Sequence, residues 1–185
     1  MSKFVKTAVA AALVMGALSS ASVFAANNGT ARFYGTLEDS VCSIIPDDHK
    51  LQVDMGDIGA SAILNTTSTP KSFQIRLQDC AFGTETTMET TFTGTNYTGP
   101  NTDNYALFSQ DTGREMKNVS LVIGDKAGAG YRVGQPIKQS IVMDTATGKG
   151  KAKQTLEFKA WLVGEATQAD LGAFETLTTF QIIYL

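Results

Sequence analysis

The chain ends in TLTTFQIIYL, where apolar and polar side chains alternate, and the same period of two recurs along much of its length. A two-residue period puts one set of side chains on each face of a pleated strand, whereas an amphipathic helix needs apolar residues every three to four. No long stretch keeps the helical period, so an all-β domain is predicted, most simply a sandwich of two sheets. The strand-forming segments are FYGTLEDSVCSI, KSFQIRLQDC, NVSLVIG, KQSIVMD, LEFKAWLVG and TLTTFQIIYL. Gly, Asn, Asp and Pro cluster between them, as in GTNYTGPNTDN at 94–104 and GDKAGAGYRVGQP at 124–136, and mark turns and exposed loops. Side-chain parity assigns faces. Leu156, Phe158, Ala160 and Leu162 share one face, with Trp161 and Val163 on the other, while Phe73, Ile75 and Leu77 form a second core-facing row. Trp161 is expected to cover an edge of the core or to lie in a subunit contact.

Residues 1–25 change what counts as the mature protein. MSKFVKTAVAAALVMGALSSASVFA carries Lys3 and Lys6, an apolar run from Ala8 to Leu18, and the small residues Val23 and Ala25 before a cleavage point at Ala26. That is the pattern of a secretory signal, and the run is well short of the roughly 20 residues that cross a bilayer. Cleavage removes both lysines, leaving 13 of the 15 Lys and Arg against 18 Asp and Glu, a formal charge of -5 in place of -3. A net negative charge gives no support to nucleic-acid binding. The remaining 160 of the 185 residues suit one domain.

Cys42 and Cys80 are the only cysteines, and both lie in the exported part. An even number in an oxidising compartment points to one structural disulfide, and the absence of CxxC spacing argues against a redox or metal role.

Catalytic groups are scarce. His49 is the sole histidine, set in the charged, turn-like PDDHKLQ, and is expected to be solvated. Asp47 and Asp48 stand beside it, yet no GxSxG elbow accompanies them. Asp54 and Asp57 in VDMGDIG lack the ligand succession of an EF-hand, and GDKAGAG lacks the phosphate-loop pattern. No catalytic residue, metal or cofactor is expected.

The two ends of the mature chain remain. It begins AANNGTARFYGT, in which Asn27, Gly29, Ala31, Phe33 and Gly35 share parity. Such an extended segment could be the domain's own first strand or a strand donated to another subunit's sheet. At the other end Gly172, Phe174, Thr176, Thr178, Phe180, Ile182 and Tyr184 share parity. Gly172 lies fourteenth from the end, Phe180 and Ile182 alternate, and Tyr184 is penultimate; GTARFYG, Cys42 ahead of LQVDMGDIG, and SFQIRLQDC ending in Cys80 complete the set. In this order, across almost the whole mature chain, these features resemble the pilins assembled by the bacterial chaperone–usher pathway, most of all a major fimbrial subunit.

The resemblance implies an incomplete immunoglobulin-like β-sandwich that lacks its final strand and is completed by donor-strand complementation. It divides the chain into a signal peptide at 1–25, a donor-strand extension at 26–36 and a pilin domain at 37–185. It implies that Asn27, Gly29, Ala31, Phe33 and Gly35 enter a neighbour's groove, with Gly29 allowing close approach. Asn27 is polar where many members present an apolar anchor. Gly172, Phe174, Phe180, Ile182, Tyr184 and the carboxylate of Leu185 would form the C-terminal motif that meets a periplasmic chaperone. The partners implied are copies of the chain, other fimbrial subunits, the chaperone and an outer-membrane usher, with passage through the periplasm to an adhesive surface fimbria. A minor or adaptor pilin is one alternative. An exported β-sandwich binding domain with Tyr97, Tyr105 and Tyr131 as a loop surface is another, and a hydrolase built on His49 the least supported.

Overall fold

In the computed structural model, residues 30–35, 37 and 40–185 are described. The chain divides into two units between Leu37 and Glu38. The described residues of the first unit form no strand or helix. Residues 1–29, which hold the signal-peptide reading together with Asn27 and Gly29, lie outside the described residues.

The second unit is built from strands β1 (Ser43–Ile44), β2 (Lys71–Gln78), β3 (Thr87–Thr93), β4 (Phe108–Ser109), β5 (Val119–Asp125), β6 (Gly130–Tyr131), β7 (Pro136–Ser140), β8 (Gln154–Gly164), β9 (Phe174–Glu175) and β10 (Thr179–Tyr184). Two single-turn 3-10 helices, Pro46–Lys50 and Ala60–Ile63, interrupt them. One sheet runs β1-β2-β8-β5-β6, a second runs β10-β3-β7, β4 pairs with β9, and every ladder is antiparallel.

The alternation in β8 does what a half-buried strand requires: Gln154, Leu156, Phe158, Ala160 and Leu162 are buried, and the residues between them are exposed or half-buried. Its inner face meets that of the second sheet through aromatic contacts. Phe158 stacks on Phe73 at 5.4 Å between ring centroids and meets Phe92 of β3 edge-on at 5.0 Å. Such pairs add about 0.5–1.5 kcal/mol each beyond the area they bury. Ile75, Leu77, Met88, Leu107, Ile137 and Leu156 complete the closed part of the core. Trp161, on the outer face of β8, is half-buried across the facing glycines Gly124 and Gly130; a Cβ at Gly124 would strike its ring, and one at Gly130 would press against it and Val122. It therefore covers the edge of the sheet.

Three expectations need correction. Of the described residues of FYGTLEDSVCSI only Ser43–Ile44 joins a ladder, and Pro46 then begins a 3-10 turn that ends the strand. KQSIVMD stops at Ser140, since the Gln154 side chain takes over the backbone of Val142, accepting its N–H at 2.9 Å and donating to its carbonyl at 3.0 Å. Tyr97 and Tyr105 are no loop recognition surface: they are 4% and 2% exposed. The Tyr105 hydroxyl donates to the Phe92 carbonyl at 3.0 Å and that of Tyr97 to Glu165 at 2.7 Å, while burial pushes both phenols up to about 12. In addition β3, TMETTFT, is a strand that the polar Thr90 at its buried centre disguised.

Cys42 and Cys80 form a disulfide across 38 residues, tying the chain ahead of β1 to the end of β2. In the chain-entropy model such a loop stabilises by about 4 kcal/mol. Cys42→Ala or Cys80→Ala is expected to cost about 2–5 kcal/mol and to lower the yield of exported subunit sharply. Denaturant unfolding and yield check this; unchanged values in both variants would show the bond to be dispensable.

Candidate functional site

Along one side of the sandwich the backbone is left open. Residues 51–58 run between the two 3-10 helices without joining any sheet, and among the described residues no backbone–backbone hydrogen bond reaches them. Leu51, Val53 and Met55 nevertheless alternate inward. An Asx turn then shifts the parity: the Asp54 carboxylate accepts the Gly56 N–H at 2.8 Å, Gly56 adopts φ +69°, and Ile58 and Ala60 continue the inward row. Asp54 is thus a turn residue. Gly56 admits this conformation because it carries no Cβ.

The opposite wall is the free edge of β10 and the segment leading to it. Leu185 and Thr87 exchange both backbone hydrogen bonds at 2.9 Å, and in an antiparallel ladder such pairs recur at every second residue. Thr179, Gln181 and Ile183 therefore turn their backbone toward β3. Phe180, Ile182 and Tyr184 turn their N–H and C=O groups to the side where, among the described residues, no strand lies, while their side chains pack inward, half-buried, against the core. Phe180 reaches Phe92 at 6.0 Å, and Tyr184 reaches Phe82 at 6.2 Å.

Between the walls lies a cavity of about 1340 Å³. Residues 49–59 line it on one side and 172–178 with Phe180 on the other, over a floor of Phe73, Phe92, Leu107, Leu121, Ile123 and Ala160. The Thr176 hydroxyl oxygen is buried there with no hydrogen-bond partner among the described residues. Two unpaired backbone edges over an apolar floor suit an extended segment: its main chain would bond to the edges and alternate side chains would enter the cavity.

The C-terminal residues singled out from sequence fall on this feature in part. Gly172, Phe174 and Phe180 line the cavity; Ile182 and Tyr184 continue the same wall along β10, and the Leu185 carbonyl accepts from Thr86 at 2.6 Å and Thr87 at 2.9 Å. The disulfide is not among the lining residues. Ala31, Phe33 and Gly35 are exposed in the first unit, Phe33 at 93%.

His49 stands exposed at the lip, and among the described residues no carboxylate bonds to it; its neighbour Asp48 is committed elsewhere. The Asp48 carboxylate accepts the Arg76 backbone N–H at 2.7 Å, Nε at 3.0 Å and Nη2 at 2.6 Å. Those side-chain hydrogen bonds hold it below the usual carboxylate range against the opposing effect of burial. Sequence reasoning missed this pair and the role of residues 51–59 as a wall. The Leu51, Val53, Met55 alternation was the available signal for the wall; the pair, 28 residues apart, had none.

No family model matches the chain. It is 66% identical to the fimbrial-like protein YfcV of Escherichia coli (strain K12) over the full length of both. It is also 31% identical to the Major MR/P fimbria protein of Proteus mirabilis (strain HI4320), covering 85% of this chain and 84% of that one. The crystal structure of the P pilus rod subunit PapA superposes with a TM-score of 0.61 at 18% identity, over 79% of this chain and all of that one, a likeness of fold. With these two relatives, one matched over its whole length, and an immunoglobulin-like sandwich open along one side, the chain belongs to the fimbrial subunit proteins.

Proposed function

We propose that the chain is a repeating structural subunit of a surface fimbria whose open groove receives residues 26–36 of the next copy. The observation that carries this reading is the cavity over an apolar floor, walled on one side by residues 51–58, which join no ladder among the described residues, and on the other by 172–178 and Phe180, where the open edge of β10 begins. The chain supplies a matching segment. Ala31, Phe33 and Gly35 share parity, Phe33 is 93% exposed, and the same parity continues to Leu37, which is fully exposed. An alternating segment with free backbone groups and an open-edged groove are complementary, so copies can join head to tail without limit, which favours the shaft over a single-copy adaptor.

Before assembly the groove needs a substitute strand, because an exposed apolar channel with free edges invites aggregation. A periplasmic chaperone fills that need, contacting β10 and the end of the chain at Leu185, and an outer-membrane usher then exchanges it for the incoming subunit. Residues 1–25 direct the chain to that compartment.

The test is a photo-crosslinking amino acid in place of Phe33 in assembled fibres. A dimeric adduct whose second peptide comes from 51–59 or 172–180 is the expected product. Adducts confined to single chains, from a subunit that stays soluble and monomeric, would replace the pilin assembly with an exported binding domain. Quantifying this subunit against the others in the same fibres separates a shaft component from a minor one.

A further inference from the structure

The wall at residues 51–58 has no ladder of its own, so its position is set at its two ends. At the far end the Gly59 carbonyl accepts the Ala62 N–H at 2.9 Å, and Ile63 rests on Gly164, where a Cβ would collide with the Ile63 carbonyl. At the near end the 3-10 helix Pro46–Lys50 is fastened to β2. The Ile45 N–H donates to the Arg76 carbonyl at 3.0 Å, and Asp48, its side chain 4% exposed, takes three donors from the same arginine. Leu51, the first residue of the wall, lies three positions further on.

We propose that the Asp48–Arg76 pair is a positioning clamp that holds the free wall of the groove at the separation and angle a donor strand needs. This rests on the donor-strand reading above. A strand inserted between two edges must meet both at the normal inter-strand spacing, and a wall that has to be ordered at that moment charges its lost freedom to the complex. Two parallel N–H···O bonds from a planar guanidinium fix orientation as well as distance, which a single contact or a lysine would not do. The Arg76 side chain is 39% exposed, so the constraint comes from directional hydrogen bonds more than from charge attraction. Asp48 does not touch the donor; it acts through the wall that follows it.

The mature chain refolded with a synthetic peptide of residues 26–37 provides the test, with release of labelled peptide into excess unlabelled peptide as the readout. Asp48→Asn preserves shape but turns an acceptor into an amide donor facing the guanidinium; it is expected to raise the release rate about tenfold, and to raise deuterium uptake over the wild-type complex at 51–58 while leaving uptake in β3 unchanged. Arg76→Lys keeps a charge but loses the fork, and is expected to raise release about threefold. Gln154→Ala is the stability control: it removes the buried amide bonded to Val142 and Lys151, outside the cavity lining, and should leave release unchanged. Release from the Asp48 and Arg76 variants no faster than from Gln154→Ala overturns the clamp while the donor-strand reading stands. Failure of the wild-type chain to bind the peptide overturns that reading and the clamp with it. Should Asp48→Asn not refold, Arg76→Lys and the uptake at 51–58 decide by the same comparison.

Discussion

Truncation after Thr179 is expected to leave almost no soluble exported subunit. The six residues removed include Phe180, Ile182 and Tyr184, whose half-buried side chains close the second sheet over the core. Full burial of such side chains stabilises by about 1.5–3 kcal/mol each, so half-burial of three is worth roughly 3 kcal/mol. The same deletion strips β3 of its ladder with β10, leaving Met88 and Phe92 on a new edge. Against a typical stability of about 5–15 kcal/mol for a complete domain, less for one short of a strand, that loss is decisive. Subunit recovered after export, and subunit retained on a tagged chaperone, are the quantities to compare between intact and truncated chains. Equal recovery in both would remove β10 from the assembly argument.

Removal of residues 26–36 should have the opposite profile, with a folded subunit and no fibres. Those of the segment that are described, 30–35, belong to no strand of their own chain, and the buried core begins at Cys42. Expected results are undiminished soluble subunit, an intact Cys42–Cys80 bond, and the absence of polymer on the cell surface by electron microscopy. Normal fibres from the truncated chain would reject donation in trans. A collapse of soluble subunit would instead show that the segment serves as the domain's own first strand.

Much of this fold was legible because its information is local. β8 and β10 display their buried rows as plain alternation, and the parity assigned to Leu156, Phe158, Ala160 and Leu162 is the one that is buried. The disulfide followed from two cysteines in a chain read as exported, since their number leaves one pairing. Where a row was broken by a polar residue the reading failed: Thr90 at the centre of β3 reads as surface yet is fully buried. Tyr97 and Tyr105 failed for a related reason. Their Gly- and Asn-rich surroundings suggest exposure, while hydrogen bonds to Glu165 and the Phe92 carbonyl let the rings be buried.

The candidate site divides the same way. Phe180, Ile182 and Tyr184 could be named from the alternating C-terminal strand, because a strand's own periodicity tells which side chains face inward. That residues 51–59 stand opposite 172–178 and Phe180 could not, because those residues are more than a hundred positions away and their partners are defined by the sheets that neither segment closes. The Asp48–Arg76 contact was equally hidden, since PDDHK is a run of exposed-looking charges until folding draws one carboxylate beneath the arginine of β2. Side-chain pattern and composition thus determined by themselves that the chain is all-β and linked by one disulfide. Only the tertiary structure decided where the sandwich is left open, because an unpaired edge is a property of the strands that are not beside it.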